Sequence, residues 1–458
     1  MTVSGYDFAV IGAGPGGLEA ALRAKELGLH TVLIEKKDPG GTCLNQGCIP
    51  TKALLASSRF FSRLEQSQGF GVTVENAQFD WHALVKRKND LVEAIRNSTF
   101  HQITKAKLDW VQGTAQLAGK RKIHVTGSEP KEIEAASILI ATGSAPADLP
   151  NLTLNGQTII SSTEALALTE LPQSLLIVGG GAVGVEFASL FRALGVKVTL
   201  IEMLDRLLPA EDEDCAKRLE TLFSRQGIRV LTGVTVAGME KPGQHTKAHL
   251  SSGESLEVEK ILLAVGRKRN TGELGLETAG VHSEKNGAIA VNDFFETNVP
   301  GIFAIGDCTS APQLAHLASY AGCLVAENLG GHTKRVVNFS AVPSCIYSEP
   351  EVASVGLSKV REKREAGETI EVKIPFAGIA KSRIQGETDG FFKLFALKDR
   401  GIIIGACGVG AHVTELMPEV VLAVRLRLTA RDLGDTLHAH PTESEILMLA
   451  ARELAKKQ

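Results

Sequence analysis

The sequence predicts an α/β protein with two Rossmann-like dinucleotide-binding domains followed by a C-terminal α+β domain, and three observations carry that expectation. The stretch YDFAVIGAGPGGLEAALRAKELGLHTVLIEK recurs later as QSLLIVGGGAVGVEFASLFRALGVKVTLIEM. Each copy is followed by an apolar run ending in glycine, SILIATG in one case and KILLAVG in the other. Beyond about Asn338, short strand-like runs (SAVPSCIYS, GFFKLFAL, GIIIGACGVG) precede helical stretches, the pattern of an α+β domain.

Each repeat contains an apolar strand, a glycine turn, a helix closed by Gly28 or Gly195, and a second strand ending in Glu35 or Glu202. These are two βαβ units. The acidic residue lies the same distance beyond the third glycine in both, Gly17 to Glu35 and Gly184 to Glu202, so the repeat preserves geometry as well as composition. The Pro-rich SAPADLPN after Gly143 reads as a link into the second domain, and GRKRN after Val265 repeats the exit. GIFAIGDC is a third strand and turn that returns the chain to the first domain. The expected boundaries are 1–144 for the first dinucleotide-binding domain, 145–267 for the second, 268–337 for a segment completing the first, and 338–458 for the C-terminal domain. Within the last, Val413 to Arg427 reads as a helix, and Pro441 is expected to open another.

Composition narrows the function classes. With 44% hydrophobic and 22% charged residues in 458, the chain is globular material sufficient for several cores. Net charge is -3 without a basic run, which argues against nucleic acid or an anionic membrane as partner. The N-terminal apolar run ends in glycines and lacks a basic leader, and no stretch reaches membrane-spanning length, so the expected compartment is the cytosol. Seven cysteines without a secretion signal point away from a disulfide framework and towards redox or metal chemistry for any special cysteine.

Gly12, Gly14 and Gly17 lie between a strand and a helix, where they let the backbone approach a pyrophosphate while Glu35 accepts from a ribose hydroxyl; a merely tight turn is the alternative. Gly179, Gly181, Gly184 and Glu202 repeat the arrangement, so two dinucleotides are expected. Cys43 and Cys48 follow the first site, and a disulfide needs a bound two-electron carrier, which assigns FAD to the first site and a nicotinamide to the second. Glu202 favours NAD over NADP, since its carboxylate would repel a 2'-phosphate. The spacing of the two cysteines fits neither a zinc knuckle nor C-x-x-C. Closing so short a loop would stabilise the fold by only about 2 kcal/mol, which makes a redox pair the better reading than a structural staple. Lys52, one helical turn on, either favours a thiolate or reduced flavin or is a solvated lysine. In LHAHPTESE, His438 and His440 with Glu443 and Glu445 offer a base for a substrate thiol, or a surface and capping cluster. Asp307 either binds a flavin ribityl hydroxyl or caps the next helix. Cys215, Cys308, Cys323, Cys345 and Cys407 read as core residues.

With these residues in view, the whole chain resembles the pyridine nucleotide-disulfide oxidoreductases. GGTCLNQGCIPTK is similar to their redox-disulfide signature, ATGS (Ala141 to Ser144) and AIGD (Ala304 to Asp307) to flavin-contact segments, and HAHPTESE to a C-terminal base motif. The resemblance implies that Cys43 exchanges with substrate while Cys48 faces the flavin. It places Lys52, paired with Glu186, near the flavin N5, and makes His440 the base, oriented by Glu445. Further cofactor contacts are implied at Gly113, Thr142, Gly143, Ser144, Asp307, Leu314, Ala315 and His316, and at Gly266. A homodimer formed through the C-terminal domain is implied, with the base serving the partner's disulfide. The implied substrate is dihydrolipoamide on a lipoyl carrier domain of a 2-oxo acid dehydrogenase or glycine cleavage system, oxidised by NAD⁺ through the cysteines and FAD. Three positions depart from the family pattern: Gln46, Leu317 and Glu443. Glu443 is expected to raise the basicity of His440 or to compete for it with Glu445.

Two rivals remain. A disulfide or mercuric ion reductase of the same architecture would differ in its C-terminal cysteines or in cations near position 203, where Arg206 stands nearly alone. A non-catalytic flavoprotein would be expected to lack a cysteine or the base.

Overall fold

The computed structural model describes residues 4–127, 130–240, 246–332, 334–356 and 368–457, and the chain divides into two compact units. One comprises residues 1–53, 85–147 and 267–337; the other comprises 54–84, 148–266 and 338–458.

The first unit is built on a seven-stranded sheet. Asp109–Gln112, Thr31–Glu35, Ser4–Ile11 and Lys131–Ile140 run parallel in that spatial order, and Ile302–Ala304 joins Lys131–Ile140 in parallel. Ala9, Val32, Ile34 and Ile138 are fully or almost fully buried, as expected of parallel strands covered on both faces. Gly12, at the end of the first strand, takes φ +102°, and the helix Pro15–Glu26 follows. That helix packs on Ala315–Leu329 through small residues. A Cβ on Gly322 would lie 2.2 Å from the Gly16 carbonyl oxygen, so only glycine allows this approach. The return at Ile302–Ala304 matches the expectation from GIFAIGDC. The two exits also meet here, Ser144–Pro146 pairing antiparallel with Arg267–Arg269.

The second unit repeats the theme with a five-stranded parallel sheet ordered Arg229–Thr232, Lys197–Glu202, Ser174–Val178, Lys260–Leu263, Ile159–Ile160. Its helix Ala182–Ala193 leaves the turn at Gly179, where φ is +110°. The C-terminal part forms an antiparallel sheet, Ser344–Ile346, Glu351–Gly356, Ile403–Gly410, Phe391–Leu397, Thr369–Pro375. Against it pack the helices Val413–Leu426 and Glu445–Ala455, whose Met417, Val420, Ile446 and Leu447 are fully buried. The expected helix over Val413 to Arg427 is present. The expectation that Pro441 opens the last helix is not met: the helix begins at Glu445 after a turn at Glu443 and Ser444, and the Thr442 hydroxyl donates to the Ala439 carbonyl. None of the helices is long and apolar enough to cross a membrane, among the described residues.

Candidate functional site

The two glycine turns are near-copies. A Cβ on Gly12 would stand 2.4 Å from the Ala141 carbonyl oxygen, and one on Gly179 2.4 Å from that of Ala264. A Cβ on Gly17 or Gly184 would stand 1.9 Å from the carbonyl oxygen of Gly12 or Gly179, which is why helix and strand can meet so closely. Gly14 and Gly181 differ: their Cβ positions open on free space, and they are the N-caps of helices with no side-chain cap and no acidic residue in the first turn. The N–H groups at these helix ends therefore suit an anion. Glu35 accepts from the Ala13 N–H (2.8 Å) and the Lys37 N–H (3.0 Å); Glu202 accepts from the Gly180 N–H (2.6 Å) and the Leu204 N–H (2.9 Å). Each carboxylate is thus oriented beside its glycine turn with lone pairs left for a ribose. The donor sets fit one dinucleotide in each unit.

In the first unit Gly41, at φ +56°, lies against this turn, since a Cβ there would meet the Gly14 Cα at 2.7 Å. Cys43 lies on the short helix Gly41–Gln46, and Cys48 opens the helix Cys48–Glu65. Both are half-buried thiols, hydrogen-bonded to each other. That bond and burial push the Cys43 thiol far up from its ordinary value, while the Lys52 ammonium pulls it down. Lys52 thus stands near enough to the pair for its charge to bear on the Cys43 thiol. Gly113 follows the strand Asp109–Gln112, its N–H bonded to the Glu35 carbonyl, and Leu314 precedes the helix carrying Ala315 and His316.

Asp307 does not cap the next helix, whose N-cap is Leu314. It accepts from the Ser144 hydroxyl at 2.5 Å, and Arg267 stands 3.6 Å from the same carboxylate while donating to Ser144 Oγ at 2.6 Å. Burial works against the Arg267 charge and Asp307 offsets this. Thr142 and Gly143 are tied to Asn270. Arg267 is the residue that sequence reading passed over; its signal was a cation, the first of the three in RKR, directly after the glycine that follows a buried strand.

In the second unit Glu186 is buried and accepts from the Tyr347 N–H at 2.9 Å, and Gly266 takes φ +122° after the strand Lys260–Leu263. The structure separates the two histidines of LHAHPTESE. The His438 ring is almost fully buried, held between the Glu419 carboxylate (3.1 Å) and the Thr436 carbonyl (2.9 Å). His440 is 72% exposed, and its Nδ1 lies 2.9 Å from Glu445 Oε1. Glu445 also accepts from the Thr442 N–H, and the bonds from His440 and Thr442 hold its carboxyl below the usual range. The other ring nitrogen of His440, Nε2, has no hydrogen-bond partner among the described residues. Glu443 does not compete: it accepts from the Ser382 hydroxyl at 2.6 Å, and its Oε1 is buried without a hydrogen-bond partner among the described residues. Leu317 is buried in its helix and Gln46 ends the Cys43 helix.

Residues 6–322 match the family model described as pyridine nucleotide-disulphide oxidoreductase, and residues 342–451 match that family's dimerisation domain. Dihydrolipoyl dehydrogenase of Chlamydia muridarum is 40% identical over 96% of this chain and 95% of its own. A protein of that name from Bacillus subtilis is 38% identical over 97% of both. Among solved structures, LpdA from Mycobacterium tuberculosis superposes with a TM-score of 0.92 at 28% identity, over 98% of this chain and 99% of that one. The HOCl-induced flavoprotein disulfide reductase of Escherichia coli does so with a TM-score of 0.88 at 29% identity, over 98% and 99%.

Proposed function

The chain belongs to the pyridine nucleotide-disulphide oxidoreductase family, and we propose that within it the chain oxidises dihydrolipoamide, carried on a lipoyl domain, to lipoamide with NAD⁺ as acceptor. The observation that carries this reading is the thiol pair Cys43 and Cys48, held in one unit with Lys52 and an uncapped glycine turn. The relatives named dihydrolipoyl dehydrogenase, which match along nearly the whole chain, support the choice of substrate.

Gly12, Gly14, Gly17, Glu35, Gly113, Thr142, Gly143, Ser144, Asp307, Leu314, Ala315 and His316 would hold FAD, and Gly179, Gly181, Gly184, Glu202 and Gly266 would hold NAD. Bound there, the two cofactors supply the passage of an electron pair from the cysteines to the nicotinamide. The chain's own work comes first. His440, oriented by Glu445, takes a proton from a substrate thiol, and the thiolate attacks Cys43 of the oxidised pair, with Cys48 as leaving group. The second substrate thiol then displaces Cys43, releasing lipoamide and leaving both cysteines reduced. Lys52 steadies the negative charge that appears on the pair. The dimerisation-domain match supports a homodimer, in which His440 of one protomer serves Cys43 of the other.

The test is NADH formation from NAD⁺ and dihydrolipoamide by the purified chain, with dihydrolipoyl carrier domain as a second substrate. NADH production that Cys43→Ser abolishes is the expected result. No turnover with dihydrolipoamide, but rapid NADH-dependent reduction of another disulfide or of mercuric ion, would move the assignment to the related reductases.

A further inference from the structure

Cys215 and Cys407 are buried in the core, as read from sequence, but they stand beside charged groups. Cys215 lies in the first turn of the helix Glu213–Arg225, whose N-cap is Asp212; Cys407 lies mid-strand in Ile403–Gly410, paired in register with Lys393 on one side and Ser354 on the other. All four of Asp212, Cys215, Lys393 and Cys407 are at most 1% exposed. A carboxylate oxygen of Asp212 and the two Sγ atoms lie within 4.8 Å of one another, and the thiols are hydrogen-bonded. Asp212 Oδ1 accepts from Lys393 Nζ at 2.8 Å and from the N–H groups of Asp214 and Cys215, whereas its Oδ2 is buried with no hydrogen-bond partner among the described residues. A buried carboxylate oxygen left unpaired is costly unless something else satisfies it.

We propose that Cys215, Cys407 and Asp212 form a binding site for a thiophilic divalent cation of the zinc class, separate from the Cys43–Cys48 pair. Two sulfur donors and one oxygen suit Zn²⁺ and disfavour Mg²⁺ or Ca²⁺, and bonds of about 2.3 Å to sulfur and 2.0–2.2 Å to oxygen need only a modest contraction of the cluster. A solvent oxygen completes four-coordination. Charge is balanced: the dication replaces the two thiol protons, so Asp212, Asp214 and Lys393 keep the same net surroundings. Asp214, which bonds Lys393 at 2.6 Å, also lines an open cleft with Lys373 and Phe391. Binding would fasten the helix Glu213–Arg225 to the C-terminal sheet.

The experiment uses the full chain carrying Cys43→Ser and Cys48→Ser, which removes the other thiol pair, titrated with Co²⁺ and with Zn²⁺. One ion per chain is expected, with thiolate-to-Co²⁺ charge-transfer absorption and release of two protons per ion near neutral pH. Adding Cys215→Ser or Cys407→Ser should weaken binding by more than the roughly 10–100-fold that loss of an outer-shell partner costs. No thiolate band, or a band that survives Cys215→Ser, overturns the proposal. Should the added substitutions fail to fold, proton release measured at about pH 7.5 to 8 decides: a surface site of carboxylates or of histidines, already deprotonated there, would release well under one proton per ion.

Discussion

Gly181 and Gly184 stand three residues apart in one turn, yet their replacement by alanine should have opposite consequences. A Cβ at Gly184 would stand 1.9 Å from the Gly179 carbonyl oxygen, and must gain at least 1.1 Å to reach the 3.0 Å below which such contacts are essentially not found. Backbone lies on both sides, so neither partner can rotate away. Overpacking of this kind costs typically 1–3 kcal/mol, and with rigid neighbours about 3 kcal/mol is the sensible figure, a loss of roughly 6–12 °C in melting temperature for a unit of this size. At Gly181 the Cβ meets nothing within 4 Å, and φ -75° with ψ -175° is an extended conformation that alanine adopts freely. The poorer N-cap preference of alanine, about 0.5–1 kcal/mol, is offset by about 0.4–1 kcal/mol from a stiffer unfolded chain. Gly181→Ala should therefore leave thermal unfolding unchanged while placing a methyl group where a pyrophosphate would approach, raising the dissociation constant for NADH at least about tenfold, the equivalent of about 1.4 kcal/mol. Calorimetry and NADH titration of both variants provide the assay. Equal destabilisation of the two, or undiminished NADH binding by Gly181→Ala, would refute the assignment of this turn to a nucleotide.

His440→Gln should lower kcat/KM for dihydrolipoamide by about 10²- to 10⁴-fold, and Glu445→Gln by less, because the imidazole remains and only its orientation is lost. The Glu445 carboxyl is held below its ordinary value, so the stability it contributes is complete above the unfolded carboxyl range and is lost as pH falls through the lowered folded value; the stability difference between the chain and Glu445→Gln should vanish at strongly acid pH. Lys393→Met leaves Asp212 and Asp214 without their buried cation and should cost about 3–5 kcal/mol, visible as a lowered urea midpoint, with much of the loss recovered on adding Asp212→Asn. Ser382→Ala combined with Glu443→Leu removes a buried unpaired oxygen together with its neighbour's donor, and should be neutral or stabilising by about 1–3 kcal/mol in thermal melts; a fall of several degrees would show that the hydrogen bond outweighs the orphaned atom.

The sequence by itself determined what short-range geometry dictates. Gly12, Gly14, Gly17 and Glu35 belong to one βαβ unit, so spacing alone revealed their relation, and Gly179, Gly181, Gly184 and Glu202 repeated it. His440 and Glu445 are five residues apart, and Cys43, Cys48 and Lys52 lie on two consecutive helices. The tertiary structure decided what depends on residues far apart in the chain. Two histidines in one motif look alike until Glu419 buries one of them and leaves the other in the open. Asp307 faced two readings because Ser144 and Arg267, which displace the capping alternative, reach it only through the meeting of three separate segments. Lys393 in FFKLF carries no motif, and Cys407 in GACGV reads as a core thiol. Only the pairing of their strands, with Asp212 and Cys215 packed against them, turned two unremarkable positions into a buried cluster of charge and sulfur, because burial removes the water that would otherwise have satisfied each group alone.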